Sequence, residues 1–419
     1  VHYLIIVENL PVPADYRVWL IATTLRDHGF EVSVICPATK KYPAGKHVID
    51  GINVYRHSLP IEAGKLYQYI FEYVIALWKE FWLTVKIFRK NKFNVIHACN
   101  PPDLIWIIGL FWKVFGVKFV FDHHDLSPEL LLTKLNANDT KSLKVFQKLV
   151  YKILRLMEFF SQRAASIVLT TNESFKKIAV TRNNCNPERV FTVRTGPKSS
   201  EQLTVNSEQP AHRSLGVGGK IEDRRRTTDY GLRTKDIPRL GYVGVMAGQD
   251  GVDGLLRICH YLKTGFGKTF ELVLLGDGPE FEKLKKLASE LELGRCANFP
   301  GFVSQEKVKE ELSKCDIGIT PDPSSPMNDY STMLKVMDYM SHGLPQVMYD
   351  LAENKATAGN AALYASPGNE KEFAEKLAEL IDDEELRREL GRTARERIKS
   401  LAWEKCGAPA LLKAVEKLK

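Results

Sequence analysis

Cysteine is scarce and unpaired in this sequence. Seven occur among 419 residues, at 36, 99, 185, 259, 296, 315 and 406, and no CxxC pair is present. An odd number at these spacings argues against a disulfide framework or a zinc ribbon and suits a reducing cytoplasm. Long hydrophobic runs are also missing. The longest unbroken one, 104–112, falls well short of the roughly 20 residues that span a bilayer. The opening Tyr3-Leu-Ile-Ile-Val7 follows neither a basic leader nor a small-residue cleavage site, so it reads as a first strand and not as a signal peptide. No GxGxxG fingerprint and no recognised nucleic-acid module is visible, and nucleic acid is not expected as a partner.

What is present is ordinary globular material with an uneven charge. Hydrophobic residues make up 44% and charged residues 26%, which excludes a disordered or collagen-like chain. The net charge of +8 is not spread evenly. Residues 1–198 hold 27 Lys and Arg against 16 Asp and Glu, a balance of +11, whereas 199–419 hold 32 against 35, a balance of −3. The first half therefore calls for an anionic partner.

Short apolar runs alternate with helical patterns along the chain. Strands are expected at 3–7, 30–36, 52–58, 93–99, 117–123, 166–171 and 190–195, then at 239–245, 270–276, 297–300, 316–320, 345–349 and 362–365. Near-continuous apolar strands separated by helices predict parallel sheets covered on both faces. The expected fold class is α/β, with two doubly wound, Rossmann-like domains facing a cleft. The first spans 1–198. Residues 199–237, polar and without apolar period, read as a linker or insertion. A second domain covers 238–390, and C-terminal helices over 391–419 are expected to pack back toward the first.

Two stretches of the basic half are broadly apolar helices. In 66–90, Gln68, Glu72, Lys79, Lys86 and Lys90 share one stripe and most other positions are aromatic or aliphatic; Ala76, Glu80, Thr84 and Arg89 are the exceptions. In 142–163, Lys144, Lys148, Lys152 and Arg155 fall near one face. Either these are core helices with solvated stripes, or they rest on an anionic membrane surface.

Chemistry is expected at the carboxyl ends of strands. Phe121-Asp-His-His-Asp125 ends one strand. Alternation along a strand prevents Asp122, His123, His124 and Asp125 from all ligating one metal ion, and one His or Asp is expected to act as an acid, a base or an orienting group. Gly241, Gly244, Gly248, Gly251 and Gly254 lie where a strand feeds a helix and could admit a phosphate. The turn Gly276-Asp-Gly-Pro279 is similar. Ser331 and Thr332 are expected to cap a helix running to about His342, with Lys335 and Asp338 on one face. The alternative there is a capped helix with an internal Lys–Asp pair.

The stretch Asn328-Asp-x-Ser-Thr-x-x-Lys-Val-Met-Asp-Tyr-Met-x-x-Gly-x-Pro345 resembles the signature helix of glycosyltransferase family four, on the GT-B fold. Asp15-Tyr-Arg17, Asn100-Pro-Pro-Asp103, Arg194-Thr-Gly-Pro197, Phe299-Pro-Gly301 and Ala358-Gly359 extend the resemblance over almost the whole chain. The closest flavour is the bacterial group that builds surface polysaccharide on lipid-linked sugars. The resemblance implies a retaining, metal-independent transfer, without a cofactor, from a nucleotide-sugar donor to a lipid-linked or saccharide acceptor. It implies a cytoplasmic protein lying peripherally on the inner face of the membrane, in contact through 66–90 and 142–163. By position His124 and Lys335 would be catalytic. Gly244, Gly248, Phe302, Val303, Ser331, Thr332, Lys335 and Asp338 would bind the donor, and Arg17 and Asp125 would face the acceptor. Three departures stand out. Tyr330 and Asp338 occupy the positions of a glutamate pair, Asp250 stands where a phosphate-binding Lys is usual, and Glu8-Asn-Leu-Pro11 replaces a glycine-rich loop. The resemblance leaves two alternatives, a GT-B sugar-nucleotide epimerase and a weakened or non-catalytic scaffold.

Overall fold

The computed structural model describes residues 1–58, 66–101, 103–199 and 237–418. The expected linker 199–237 therefore lies almost wholly outside the described residues. The chain divides into two compact units, Val1–Gly196 with Ala402–Lys419, and Pro197–Leu401.

The first unit is built on an eight-stranded sheet. Its strands are β1 (His2–Ile6), β2 (Glu31–Pro37), β3 (Gly45–Ile49), β4 (Ile52–His57), β5 (Val95–Cys99), β6 (Lys118–His123), β7 (Ile167–Thr170) and β8 (Val190–Thr192), in the order β3-β4-β2-β1-β5-β6-β7-β8. All pairs are parallel except β3 with β4. β1 and β5 are buried along their whole length, because helices cover both faces. The expected strands all appear; β3 is an addition. Its Gly-Lys-His-Val-Ile sequence is half polar and mostly exposed, so an edge strand of this kind leaves no apolar run to detect.

One face of that sheet packs against helix Tyr16–Asp27 and helix Gly407–Glu416, with Leu20, Ile21, Trp403 and Leu411 in one core. Trp403 Nε1 donates to Thr24 Oγ1 at 2.8 Å. The expected break at 391 falls inside helix Glu384–Ser400, which stays with the second unit; the chain crosses over after Leu401. Close packing explains this, since a Cβ at Gly391 would lie 2.5 Å from the Gly343 carbonyl oxygen.

The second unit holds β9 (Arg239–Val243), β10 (Glu271–Leu275), β11 (Ala297–Gly301), β12 (Ile317–Thr320), β13 (Gln346–Tyr349) and β14 (Ala362–Ala365). Their order is β11-β10-β9-β12-β13-β14, and every pair is parallel. The order reverses at β9, between β10 and β12, and in the first unit at β1, between β2 and β5. Loops leaving the carboxyl ends at such reversal points diverge and open a crevice.

Two helices of the first unit carry large apolar side chains that are exposed. On Leu66–Lys90 the buried positions include Ala76, Glu80, Thr84 and Ile87, while Trp78 and Trp82 are about half exposed. On Val145–Ala164 the buried side chains are Glu158, Ser161 and Gln162, while Phe146, Leu149, Ile153, Leu156, Phe159 and Phe160 are exposed. Lys144, Lys148 and Lys152 are exposed as the stripe reading expects, but so are the apolar positions of the second helix, whereas Leu77, Phe81, Leu83, Val85 and Phe88 of the first pack against the core. Polar partners fix this orientation. Trp112 Nε1 donates to Thr84 Oγ1 at 2.7 Å, Gln162 meets the His123 ring, and Arg182 lies against Glu158 and Glu129.

Candidate active site

At the carboxyl edge of the first sheet, Asp122 organises a buried network. Asp122 and His123 end β6 and point to opposite faces, as alternation requires. Asp122 receives Arg17 Nη2 at 2.7 Å and Nε at 3.1 Å, His97 Nε2 at 3.2 Å and His124 Nε2 at 2.9 Å. Burial alone would raise its pKa, but Arg17 and His124 hold it well below the usual carboxylate range. His97 is kept neutral by burial. With Nε2–H given to Asp122, its Nδ1 accepts from Tyr3 Oη at 3.2 Å.

His124 is the exposed end of this network, with 12% of its side chain accessible against 0% for Asp122. Its backbone N–H is held by Asn100 Oδ1 at 2.7 Å. Its Nε2 also lies 3.1 Å from Arg17 Nε, so the ring stands between Arg17 and Asp122. Asp125, next along, has its carboxyl pushed up by burial, opposed by His124. Arg17 is 7% exposed and gives Nη2 and Nε to Asp122, Nε also to His124 Nε2, and Nη1 to the Val193 carbonyl and Thr195 Oγ1. It therefore acts on Asp122 and not outward, which corrects its expected acceptor-facing role. His123 is fully buried against Phe121 and Phe175, and burial followed by the Arg182 charge pushes its pKa down to about 3. It is a neutral packing group.

At the carboxyl edge of the second sheet the centre is Lys335. Its ammonium sits 2.9 Å from both oxygens of Asp322, 4.0 Å from Asp250 Oδ1, and 4.9 Å from the centre of the Tyr242 ring. Burial, opposed by Lys335 and reinforced by Asp322, pushes Asp250 up to about 6. The alternative of a Lys335–Asp338 pair fails. Lys335 points inward to Asp322, whereas Asp338 is exposed.

Ser331 and Thr332 do not cap the helix. It begins at Leu334 behind Met333, which makes no side-chain cap bond. The preceding residues Asn328–Tyr330 form a 3-10 turn, closed by Ser331 N–H to the Asn328 carbonyl at 3.2 Å. Ser331 Oγ donates to the Met327 carbonyl at 2.9 Å, and Thr332 Oγ1 to Glu353 Oε2 at 3.2 Å. Both hydroxyls lie in the loop just ahead of the helix N-terminus. The glycines serve close approach of loops. A Cβ on Gly276 would come within 1.8 Å of the Gly244 carbonyl oxygen, and one on Gly251 (φ +67°) within 2.4 Å of the Pro321 oxygen. Gly248 alone of Gly244, Gly248 and Gly251 faces open space. Phe302, after β11, is 84% exposed, while Val303 packs inward with Leu312 and Cys315.

Asp322 was not anticipated from the sequence. Its only signal is its place in Pro321-Asp-Pro323, directly after an apolar strand. Asn328 holds this loop to the one before it, donating to the Gln249 and Pro323 carbonyls at 2.9 Å each.

Comparison with known proteins follows these features. The family described as Glycosyltransferase Family 4 matches residues 15–197, and Glycosyl transferases group 1 matches 226–397. The Arabidopsis thaliana sulfoquinovosyl transferase is 23% identical over 318 residues, which is 74% of this chain and 54% of that protein. The chain thus spans about half the length of that relative. The Candida glabrata chitobiosyldiphosphodolichol beta-mannosyltransferase is 21% identical over 386 residues, 88% of this chain and 81% of the relative. The crystal structure of WaaG, a glycosyltransferase involved in lipopolysaccharide biosynthesis, superposes with a TM-score of 0.65 at 14% identity, covering 98% of each chain. These findings give the epimerase alternative no support. With both halves matched and the fold that of the GT-B enzymes, the chain belongs to glycosyltransferase family four.

Proposed function

We propose that the protein transfers a sugar, with retention and without a metal, from a nucleotide-sugar donor to a lipid-linked saccharide at the cytoplasmic membrane face. The donor diphosphate would meet the amides ahead of helix Leu334–Ser341, the Ser331 and Thr332 hydroxyls and Lys335. Charge that develops on the leaving diphosphate is stabilised there by groups already in place. Asp338 is placed to take ribose hydroxyls, and Phe302 and Val303 to flank the base. On the acceptor side His124, oriented by Asp122, is the reacting-centre group. Asp125 is the acceptor-facing carboxyl, and Arg17 positions Asp122.

The observation that carries the lipid part is the set of exposed apolar side chains on Leu66–Lys90 and Val145–Ala164. Trp78, Trp82, Phe111, Phe146 and Phe160 are exposed alongside Lys144, Lys148 and Lys152. Ring contacts join both helices to a third, Trp106–Lys113: Phe81 with Phe111 at 4.9 Å and Trp106 with Phe160 at 5.4 Å. Aromatics that dip into the interface and lysines that meet headgroups are the pattern of monotopic binding. No described helix is long and apolar enough to cross a membrane. The name of the yeast relative, which specifies a dolichol-linked diphosphate, supports the same acceptor class.

Flotation with vesicles is the test. The protein is expected to float with anionic phosphatidylglycerol vesicles and not with neutral phosphatidylcholine, and to transfer radiolabelled sugar to a lipid-linked acceptor only with the former. Equal transfer to a soluble saccharide without vesicles would overturn the lipid reading. A scaffold reading is favoured by one observation, the two carboxylates beside Lys335. Calorimetric binding of nucleotide sugars separates it, since a scaffold has no need of them.

A further inference from the structure

A second cluster lies in the first unit, away from Asp122. Glu8 is in the turn after β1, His57 is the last residue of β4, and Glu80 is on Leu66–Lys90. Three segments distant in sequence thus bring two carboxyls and an imidazole together. One ligand atom from each lies within 4.8 Å of the others. His57 Nε2 is 3.1 Å from Glu8 Oε2 and 4.0 Å from Glu80 Oε1. Exposure is 6%, 6% and 0% for Glu8, His57 and Glu80.

The group is chemically incomplete as a set of protein side chains. Apart from a Glu80–Glu8 carboxyl contact that needs a shared proton, no hydrogen bond reaches the four carboxyl oxygens or either ring nitrogen. Buried polar atoms are normally satisfied, and an unsatisfied buried carboxylate is costly. Two carboxylates this close repel unless a proton or a cation lies between them. Burial and the Glu8 charge accordingly push the Glu80 carboxyl well up when nothing else is bound. Arg56, the neighbour on β4, projects to the other side of the strand, donates Nη2 to the Val12 carbonyl at 2.8 Å and covers the Tyr42 ring. The Cys36 thiol nearby is pushed up to about 11 by burial and stays protonated. The contrast with His97, Cys99 and Asp122 is informative. Those three could also enclose an ion by distance, but both His97 nitrogens and the Asp122 oxygens already have hydrogen-bond partners.

We propose that Glu8, His57 and Glu80 bind one first-row divalent metal ion. An imidazole nitrogen with two carboxylate oxygens suits zinc or manganese, whereas calcium and magnesium prefer all-oxygen sets. The two negative charges match the ion. The bound ion would tie the turn after β1 and the end of β4 to the helix that carries Trp78 and Trp82. Sugar transfer is not routed through it, and the inference does not rest on the proposed reaction.

The test uses the untagged full chain, stripped with EDTA, reloaded with zinc, desalted and analysed for metal. About one zinc per chain is expected, with a raised Tm, because a ligand of the native state alone stabilises it. In Glu80→Gln and in His57→Ala, retained zinc should fall at least about tenfold and the zinc-dependent rise in Tm should vanish. The zinc-free Glu80→Gln protein should be no less stable than the zinc-free wild type, which separates loss of a ligand from loss of the fold. Zinc retained equally by Glu80→Gln would overturn the proposal. So would a wild type that retains neither zinc nor manganese and gains Tm only on acidification, which would identify a proton shared between Glu8 and Glu80.

Discussion

Lys335 illustrates how one side chain answers to two demands. It neutralises Asp322 in a buried pair, and it is the cation nearest the expected diphosphate. Lys335→Ala should therefore lower unfolding free energy by about 3 kcal/mol, because Asp322 is left buried and unpaired. In Lys335→Met with Asp322→Asn, denaturation should return toward wild type while transfer stays down by on the order of a hundredfold. Wild-type turnover in the double variant would remove Lys335 from the chemistry. Asp250 adds a pH dependence. Its pKa, about 6 when folded against 3.8 for the free side chain, means that the folded state holds the proton more tightly. Its ionisation thus costs stability above about pH 6, and that cost fades as pH falls through 6 toward 4. Above pH 6 two carboxylates face one ammonium, and below it one does. Affinity for a nucleotide sugar, measured by calorimetry, should rise from pH 7.5 to 5.5 in the wild type and be higher and flat in Asp250→Asn. At the other sheet, His124→Ala should abolish most transfer with little change in Tm, whereas His123→Ala should lower Tm by opening a cavity beside Phe121 and Phe175. The opposite pattern would mean that the wrong histidine has been assigned.

At the scale of elements, apolar runs located every buried strand to within two or three residues, because a parallel strand covered on both faces must be apolar throughout. The same logic could not see β3, which is half polar at a sheet edge. Periodicity also located the helices 66–90 and 142–163, but not which way their faces point. That depended on Thr84, Glu158 and Gln162 finding partners inside. The outward aromatics then become testable. Trp78→Ser with Trp82→Ser, and separately Phe146→Ser, should weaken flotation with anionic vesicles at least about tenfold, since each exposed aromatic buries apolar area on the membrane. Denaturation midpoints should change little, because the residues contact solvent. A large stability loss would place them in the core and refute the surface reading.

For the whole molecule, the +11 of residues 1–198 against −3 of the remainder makes vesicle binding an electrostatic as well as an apolar event. Flotation with anionic vesicles should fall steeply between low salt and about 0.5 M, as screening shortens to a few ångström. Binding that ignores salt would assign the attachment to the aromatics alone. The negative balance of the second half, by contrast, leaves the donor's phosphates to local groups. There Lys335 is already partnered by Asp322, so under the proposed function a nucleotide sugar would compete with a carboxylate for its cation.

The sequence by itself determined the two doubly wound sheets and the family, because each is written in local pattern: apolar runs, glycines at strand ends, a signature helix. Only the tertiary structure decided which polar groups meet. Arg17 reaches Asp122 across 105 positions, Lys335 reaches Asp322 across 13, and Glu8, His57 and Glu80 converge from three elements. A charge announces its own presence in a sequence, but its partner is chosen by where the backbone brings distant residues together, and burial then sets what that partnership costs and what it can do.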